Sequence, residues 1–340
     1  MKKFRIFPVV LASLLIFSAC SKNESETSTN DALTSTAPTE EITEEITDEV
    51  TQAPETQGEM TEAGGYIVSE DELPLRREID AEYASLLDVS TSTVLYEKGG
   101  LDTKIYPAST TKLITALVAL KYCDPEKTVF KAGNELELVQ PGSSLAYILR
   151  GHKLKLDTLI AGMLMKSGND AAYVVAAGVG RVIADDESIS PKEAVNVFIR
   201  EMNRFAKDHG MTGSHFTCPD GFHDDEHYTT MRDMFTVAKM ALENEVIMKY
   251  TQTLEDKFYY ASGENITWTN TNALINPNSD AYYKYATGLK TGTTSEAGNC
   301  VLASAEKDGK KLIACVFRHP DSNGKFHDAK ALFAAVLGTR

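Results

Sequence analysis

Ser109 and Lys112 stand three residues apart in Tyr106-Pro107-Ala108-Ser109-Thr110-Thr111-Lys112, directly before the apolar run Leu113 to Leu120. Pro107 fixes its own φ near the helical value and marks the opening of a helix. On that helix the hydroxyl and the amine project to one face within hydrogen-bond reach. Beyond Lys112 almost no polar stripe remains, so the helix must run into the core. A serine hydroxyl is a weak nucleophile until a base takes its proton, and a partly buried lysine of lowered pKa can be that base. The helix N-terminus, with partial positive charge and free N–H groups, favours a developing oxyanion. Taken alone, Ser-x-x-Lys is also what an ordinary buried helix with a polar first turn would show.

Two further polar sites interrupt apolar surroundings. Ser167-Gly168-Asn169 lies at a turn between two apolar helices, where capping alone would account for it. Lys290, in Gly288-Leu289-Lys290-Thr291-Gly292-Thr293-Thr294, sits in a strand whose glycines let another backbone approach. The plainer reading is a solubilising lysine near a sheet edge. His223-Asp-Asp-Glu-His227, with Cys218 nearby, has ligand types a metal could use. It falls in a loop and lacks His-Glu-x-x-His, so no metal is assigned. Cys123, Cys218, Cys300 and Cys315 form no C-x-x-C pattern and read as small buried residues.

These sites need elements to hold them. Ala84–Val89 and Thr93–Glu97 read as a β-hairpin. Helices follow from Pro107, over Leu156 to Met165, from Asn169, over Pro191 to Lys207 and over Thr230 to Leu242. The remainder reads as strands: Lys257–Tyr260, Ile266–Trp268, Tyr285–Thr293, Asn299–Glu306 and Lys311–Phe317. Asp308-Gly309 makes a tight hairpin turn between the last two, and a helix over His327–Leu337 closes the chain. The expected class is α+β: a central antiparallel sheet of N- and C-terminal strands, with a helical subdomain between them.

The N-terminal end is different in kind. Lys2, Lys3 and Arg5 precede the apolar Val9 to Phe17, then Ser18, Ala19 and Cys20. The apolar run is too short to span a bilayer and reads as a secretory signal over residues 1–20. Its cysteine resembles a bacterial lipoprotein signal, which would leave Cys20 as a lipid-bearing N-terminus and the protein outside the cytoplasm. From residue 21 to about 64 the chain is rich in Ser, Thr, Glu and Pro. Twelve acidic residues there face only Lys22, a net of −11. Such a segment cannot offset its ordering entropy, and a disordered acidic tether over 21–75 is expected, with a catalytic domain over 76–340. The signal carries +3, so the chain total of −15 leaves −7 for residues 65–340, with no basic patch for nucleic acid.

Ser109-Thr-Thr-Lys112, Ser167-Gly-Asn169 and Lys290-Thr-Gly292, in that order and on those elements, resemble the penicillin-recognising serine DD-peptidases. The likeness is to the low-molecular-mass D-alanyl-D-alanine carboxypeptidases, and it covers residues 76–337. Gly210-Met-Thr-Gly-Ser-His-Phe and Pro219-Asp-Gly-Phe-His agree with it. The resemblance implies that Ser109 attacks the carbonyl between two terminal D-alanines of a peptidoglycan stem peptide and forms an acyl-enzyme. Lys112 would be the base, and Ser167, held by Lys112 and Lys290, would relay a proton to the leaving amine. Asn169 would bind the substrate backbone, and Lys290 and Thr291 its terminal carboxylate. The backbone N–H groups of Ser109 and Thr293, beside Gly292, would form the oxyanion hole. β-Lactams would acylate Ser109, and no cofactor is implied. Thr271 and Lys325 stand where some relatives carry arginine. The alternatives are a β-lactamase of the same fold, for which no Glu-x-x-Leu-Asn signature stands between Asn169 and Lys290, and a non-catalytic wall-binding or sensing lipoprotein.

Overall fold

The computed structural model describes residues 65–339; the expected signal and the acidic stretch to residue 64 lie outside the described residues. Strands β2 (Tyr83–Asp88) and β3 (Thr93–Lys98) form the expected hairpin. A two-residue strand, β1 (Ile67–Val68), runs parallel to β3, and Tyr66 packs its ring 5.5 Å from that of Phe235. Leu73 and Leu75 lie against the core. Residues 65–75 are therefore part of the fold, not of the tether: β1 pairs with β3, and Tyr66, Leu73 and Leu75 pack against the core.

The late strands β8 (Ala286–Thr294), β9 (Gly298–Lys307) and β10 (Lys310–His319) complete a six-stranded sheet of order β1-β3-β2-β10-β9-β8. The junction of early and late strands is the antiparallel β2–β10 pair, with Ser85 opposite Cys315. All pairs but β1–β3 are antiparallel, so the sheet is mixed only at that edge. Asp308 and Gly309, at φ 50° and 82°, make the two-residue turn the sequence announces. Alternation along the strands sorts the two faces. Leu312, Ala314 and Val316 meet Phe326, Leu332 and Phe333 of the last helix, whereas Ile313, Cys315 and Phe317 join the helical core.

That core contains α1 (Lys112–Tyr122), α2 (Leu156–Leu164), α3 (Asn169–Ala184), α4 (Pro191–Asp208) and α5 (Met231–Leu242); α7 (Gly324–Leu337) covers the opposite face. Caps sit where their residue types demand: the Ser190 and Thr230 hydroxyls accept from the backbone N–H groups of Glu193 and Asp233. Glu245–Gln252 forms a further helix, α6, capped by Asn244, which the β-branched and aromatic composition of the segment does not announce. Two short strands, β4 (Val129–Lys131) and β5 (Lys153–Lys155), pair separately. So do β6 (Glu255–Tyr259) and β7 (Asn265–Thr269), which do not join the central sheet. Their buried aromatics, Phe258 and Trp268, pack with centroids 4.8 Å apart, and Trp268 donates to the carbonyl of Ala146 at 3.1 Å.

Helices α3 and α4 touch through Gly180, where a Cβ would fall 2.0 Å from the Ala194 carbonyl oxygen. Alanine normally stabilises a helix relative to glycine. Here Gly180→Ala is expected to lower the unfolding free energy by about 1–3 kcal/mol, because the two backbones must separate. A urea titration with an unchanged or raised midpoint would contradict the close approach.

Candidate active site

Pro107 (φ −74°) leads into a 3₁₀ turn over Ala108–Thr111, and the α-helix begins only at Lys112. The difference from a helix starting at Pro107 has a local cause. The Thr110 and Thr111 hydroxyls donate to the carbonyls of Pro107 and Ala108 at 2.7 and 2.8 Å, competing with helical pairing and tightening the turn. Residues i and i+3 of a 3₁₀ turn eclipse, which brings Ser109 and Lys112 together. Lys112 Nζ donates to Ser109 Oγ at 2.9 Å and to the Asp220 carbonyl at 2.6 Å. The amine is wholly buried. Burial pushes its pKa down to about 8, against a smaller upward pull from Asp220. About a tenth of it is then neutral at pH 7 and able to receive the Ser109 proton.

Ser167, at φ 61°, ends the turn between α2 and α3. Lys290 Nζ reaches across from β8 and donates to Ser167 Oγ at 3.0 Å and to the Thr291 carbonyl at 2.9 Å. Burial pushes the Lys290 pKa well down, and the Lys112 and Lys325 cations push it further. Lys112 and Lys290 thus each hold one of the two serines. The expected Lys112–Ser167 hydrogen bond is not formed, because Lys112 turns to the Asp220 carbonyl instead. Asn169 Nδ2 donates to Ser143 Oγ at 2.9 Å, while its buried Oδ1 has no hydrogen-bond partner among the described residues. An acceptor left so is costly unless a ligand satisfies it.

Thr291 and Thr271 meet hydroxyl to hydroxyl at 2.7 Å, which adds Thr271 to the end of the site where a carboxylate is expected. Lys325 is buried, close enough for its charge to act on Lys290. β8 is the last strand of the sheet, leaving one edge for an extended peptide. At Gly292 a Cβ would come 3.0 Å from Ser109 N and Ala108 Cβ, so glycine lets this strand close on the nucleophile turn without displacing it. The cleft between them, about 330 Å³, is lined by Ser109, Asn169, Phe222, Thr293 and Thr294 among others. Hollows of about 540 Å³ beside Arg232 and about 530 Å³ along α7 are larger but are not lined by Ser109 or Asn169.

Several contributors carry no sequence signal of their own. Asp170 accepts from the N–H groups of Ala146 and Ile148 at 2.8 and 2.9 Å and fixes the loop beside Asn169. Its only hint is its place in the first turn of a helix. The Asp220 partner is a backbone carbonyl, to which residue type gives no clue. His227 packs against Thr111 and Thr217, at 2.9 and 3.0 Å, with Cys218 Sγ 3.6 Å from Nδ1. The four cysteines are unpaired, and only Cys218 is partly exposed.

The family profile described as D-alanyl-D-alanine carboxypeptidase, peptidase S11, matches residues 68–321. The chain belongs to this family. Curated relatives include the D-alanyl-D-alanine carboxypeptidase DacF of Bacillus subtilis, 32% identical over 240 residues, which are 70% of this chain and 57% of DacF. The D-alanyl-D-alanine carboxypeptidase of Streptomyces sp. strain K15 is 31% identical over 251 residues, 70% of this chain and 81% of that protein. Escherichia coli DacA is 30% identical over 263 residues, 75% of this chain but 60% of DacA. The chain thus spans about three fifths of the length of DacF and DacA. Among solved structures, the Streptomyces K15 DD-transpeptidase superposes with TM-score 0.69 at 28% identity, covering 76% of this chain and 97% of that one. Penicillin-binding protein D2 of Listeria monocytogenes shares the fold, with TM-score 0.62 at 24% identity over 76% of this chain and 98% of its own. The α+β fold expected from the sequence is therefore that of the DD-peptidases.

Proposed function

We propose that the protein is a serine-type D-Ala-D-Ala carboxypeptidase that removes the terminal D-alanine of peptidoglycan stem peptides. The observation that carries this reading is the pair of hydroxyl–amine contacts, Ser109 with Lys112 at 2.9 Å and Ser167 with Lys290 at 3.0 Å, with the two amines near enough for the Lys112 charge to act on Lys290. Neutral Lys112 takes the Ser109 proton as Oγ attacks the penultimate D-alanine carbonyl. The oxyanion is received by the N–H groups of Ser109 and Thr293. Ser167 gives its proton to the departing amine and is restored through Lys290. Asn169 Oδ1 accepts from the peptide N–H, and Lys290, Thr291 and Thr271 receive the carboxylate. Water then attacks the ester on Ser109, its proton passing through Ser167 back to Lys290, while Lys112 returns the proton it took to Ser109 Oγ and the shortened peptide leaves.

β-Lactams would acylate the same hydroxyl. Export by residues 1–20 and a lipid on Cys20 would place the domain at the outer face of a bacterial membrane. Stable anchoring there takes more than one acyl chain. The reading is tested by D-alanine release from diacetyl-Lys-D-Ala-D-Ala. Turnover is expected in the wild type and none above background in Ser109→Ala. Binding without D-alanine release in the folded wild type would favour a wall-sensing protein, and rapid cephalosporin turnover a β-lactamase.

A further inference from the structure

His227 is buried against the nucleophile turn, and its hydrogen bonds fix their own direction. The backbone N–H of Thr217 donates to Nδ1 at 3.0 Å, so Nδ1 carries the lone pair and Nε2 the proton. Thr111 Oγ1, 2.9 Å from Nε2, spends its single proton on the Ala108 carbonyl at 2.8 Å. The bonds therefore run one way, from His227 Nε2–H to Thr111 Oγ1 to Ala108 O. Burial holds the imidazole pKa down to about 3, so the ring stays neutral and this order persists at any working pH.

The end of that chain is an unusual peptide unit. Ala108 sits at φ 47°, a conformation that strains a non-glycine residue and needs external support. The Ala108 carbonyl and the Ser109 N–H are opposite ends of one planar peptide, so orienting the oxygen orients the N–H. On the reading above, that N–H is an oxyanion donor. The loop bearing His227 grips the turn elsewhere too. The Asp220 carbonyl accepts from Lys112, the Pro219 carbonyl accepts from Thr115 at 2.6 Å, and Gly221 lies so close that a Cβ would fall 1.8 Å from Ala108 O.

We propose that His227 is a positioning residue for the acyl transfer: through Thr111 it sets the Ala108–Ser109 peptide plane, and with it the direction of the Ser109 N–H. This rests on the assignment of Ser109 as nucleophile. Its effect falls on a step where charge develops on oxygen, so it should lower kcat and acylation rate while leaving KM nearly unchanged.

The test measures acylation by a fluorescent penicillin, D-alanine release and thermal unfolding in Thr111→Val, His227→Phe, their double variant, Thr111→Ser and His227→Gln. Loss of one well-made hydrogen bond predicts about tenfold slower acylation in Thr111→Val and in His227→Phe. The double variant should be no slower than the worse single, since both break one chain. Thr111→Ser keeps the hydroxyl and His227→Gln places an amide N–H near the Nε2 position, so each should recover to within about threefold of wild type. Folded single variants within twofold of wild type would overturn the proposal, as would multiplicative losses or a lower melting temperature with unchanged acylation of the folded protein. If His227→Phe does not fold, the Thr111 pair decides alone. Absence of a wild-type adduct, or an adduct retained in Ser109→Ala, would instead bring down the nucleophile assignment and this proposal with it.

Discussion

Lys112→Met is expected to slow acylation of Ser109 by a penicillin about 10²–10⁴-fold, the range that a positioned general base supplies. Methionine keeps the apolar stem in a wholly buried site and deletes only the amine. Lys112→Arg should not rescue, because a guanidinium does not deprotonate in a protein. The pH profile identifies the lost group. With the amine at about 8, the wild-type acylation rate should rise about tenfold per pH unit below that value and level off above it. The sign follows from the base needing its lone pair: protonation removes activity, so the rate falls as pH falls. Lys112→Met should show a low rate without this bend. Stopped-flow acylation between pH 6 and 9.5 reads both, and a flat wild-type profile would contradict Lys112 as the base.

The second large effect concerns the other amine. Lys290→Met is expected to lower kcat/KM for a peptide ending in D-Ala-D-Ala about 10²–10³-fold, since truncating one partner of a buried charge pair costs several kcal/mol. Lys290 sits beneath Ser167 and Thr291 with its charged form disfavoured by burial and by neighbouring cations. An entering carboxylate supplies the missing counter-charge. A neutral peptide end cannot, so the wild type should discriminate strongly against the same peptide ending in D-alaninamide. The variant should lose most of that discrimination while its melting temperature holds or rises, a desolvated cation having been removed. Unchanged preference for the free carboxylate would assign its recognition to Thr291 and Thr271 instead.

The sequence made the chemistry more legible than its supports. Ser109, Lys112, Ser167 and Lys290 could be picked out because each interrupts an apolar context, and three residues of spacing unite serine and lysine in a 3₁₀ turn as well as in an α-helix. The sheet strands followed from alternation and from Asp308-Gly309. What escaped depends on contacts distant in the chain. The Asp220 carbonyl partners Lys112 across 108 residues, and a carbonyl has no residue type. The sequence displays His227 only among possible ligand types, while its partner Thr111 lies 116 residues away. The β6–β7 pair has ordinary strand composition, and the packing of Phe258 and Trp268 against the helical core sets it apart from the central sheet. Residues 65–75 read as tether because Ser69 to Glu72 continues the acidic run before them, and the burial of Tyr66 is decided by Phe235 far along the chain.

The most direct measurement is intact and peptide-level mass spectrometry after brief exposure to benzylpenicillin, run on the wild type and on Ser109→Ala. A single adduct of the drug's mass on the peptide containing Ser109, absent from the alanine variant, is the predicted result. An unmodified wild type, or a label on another residue, would contradict the assignment of two serines and two lysines to one acyl-transfer site.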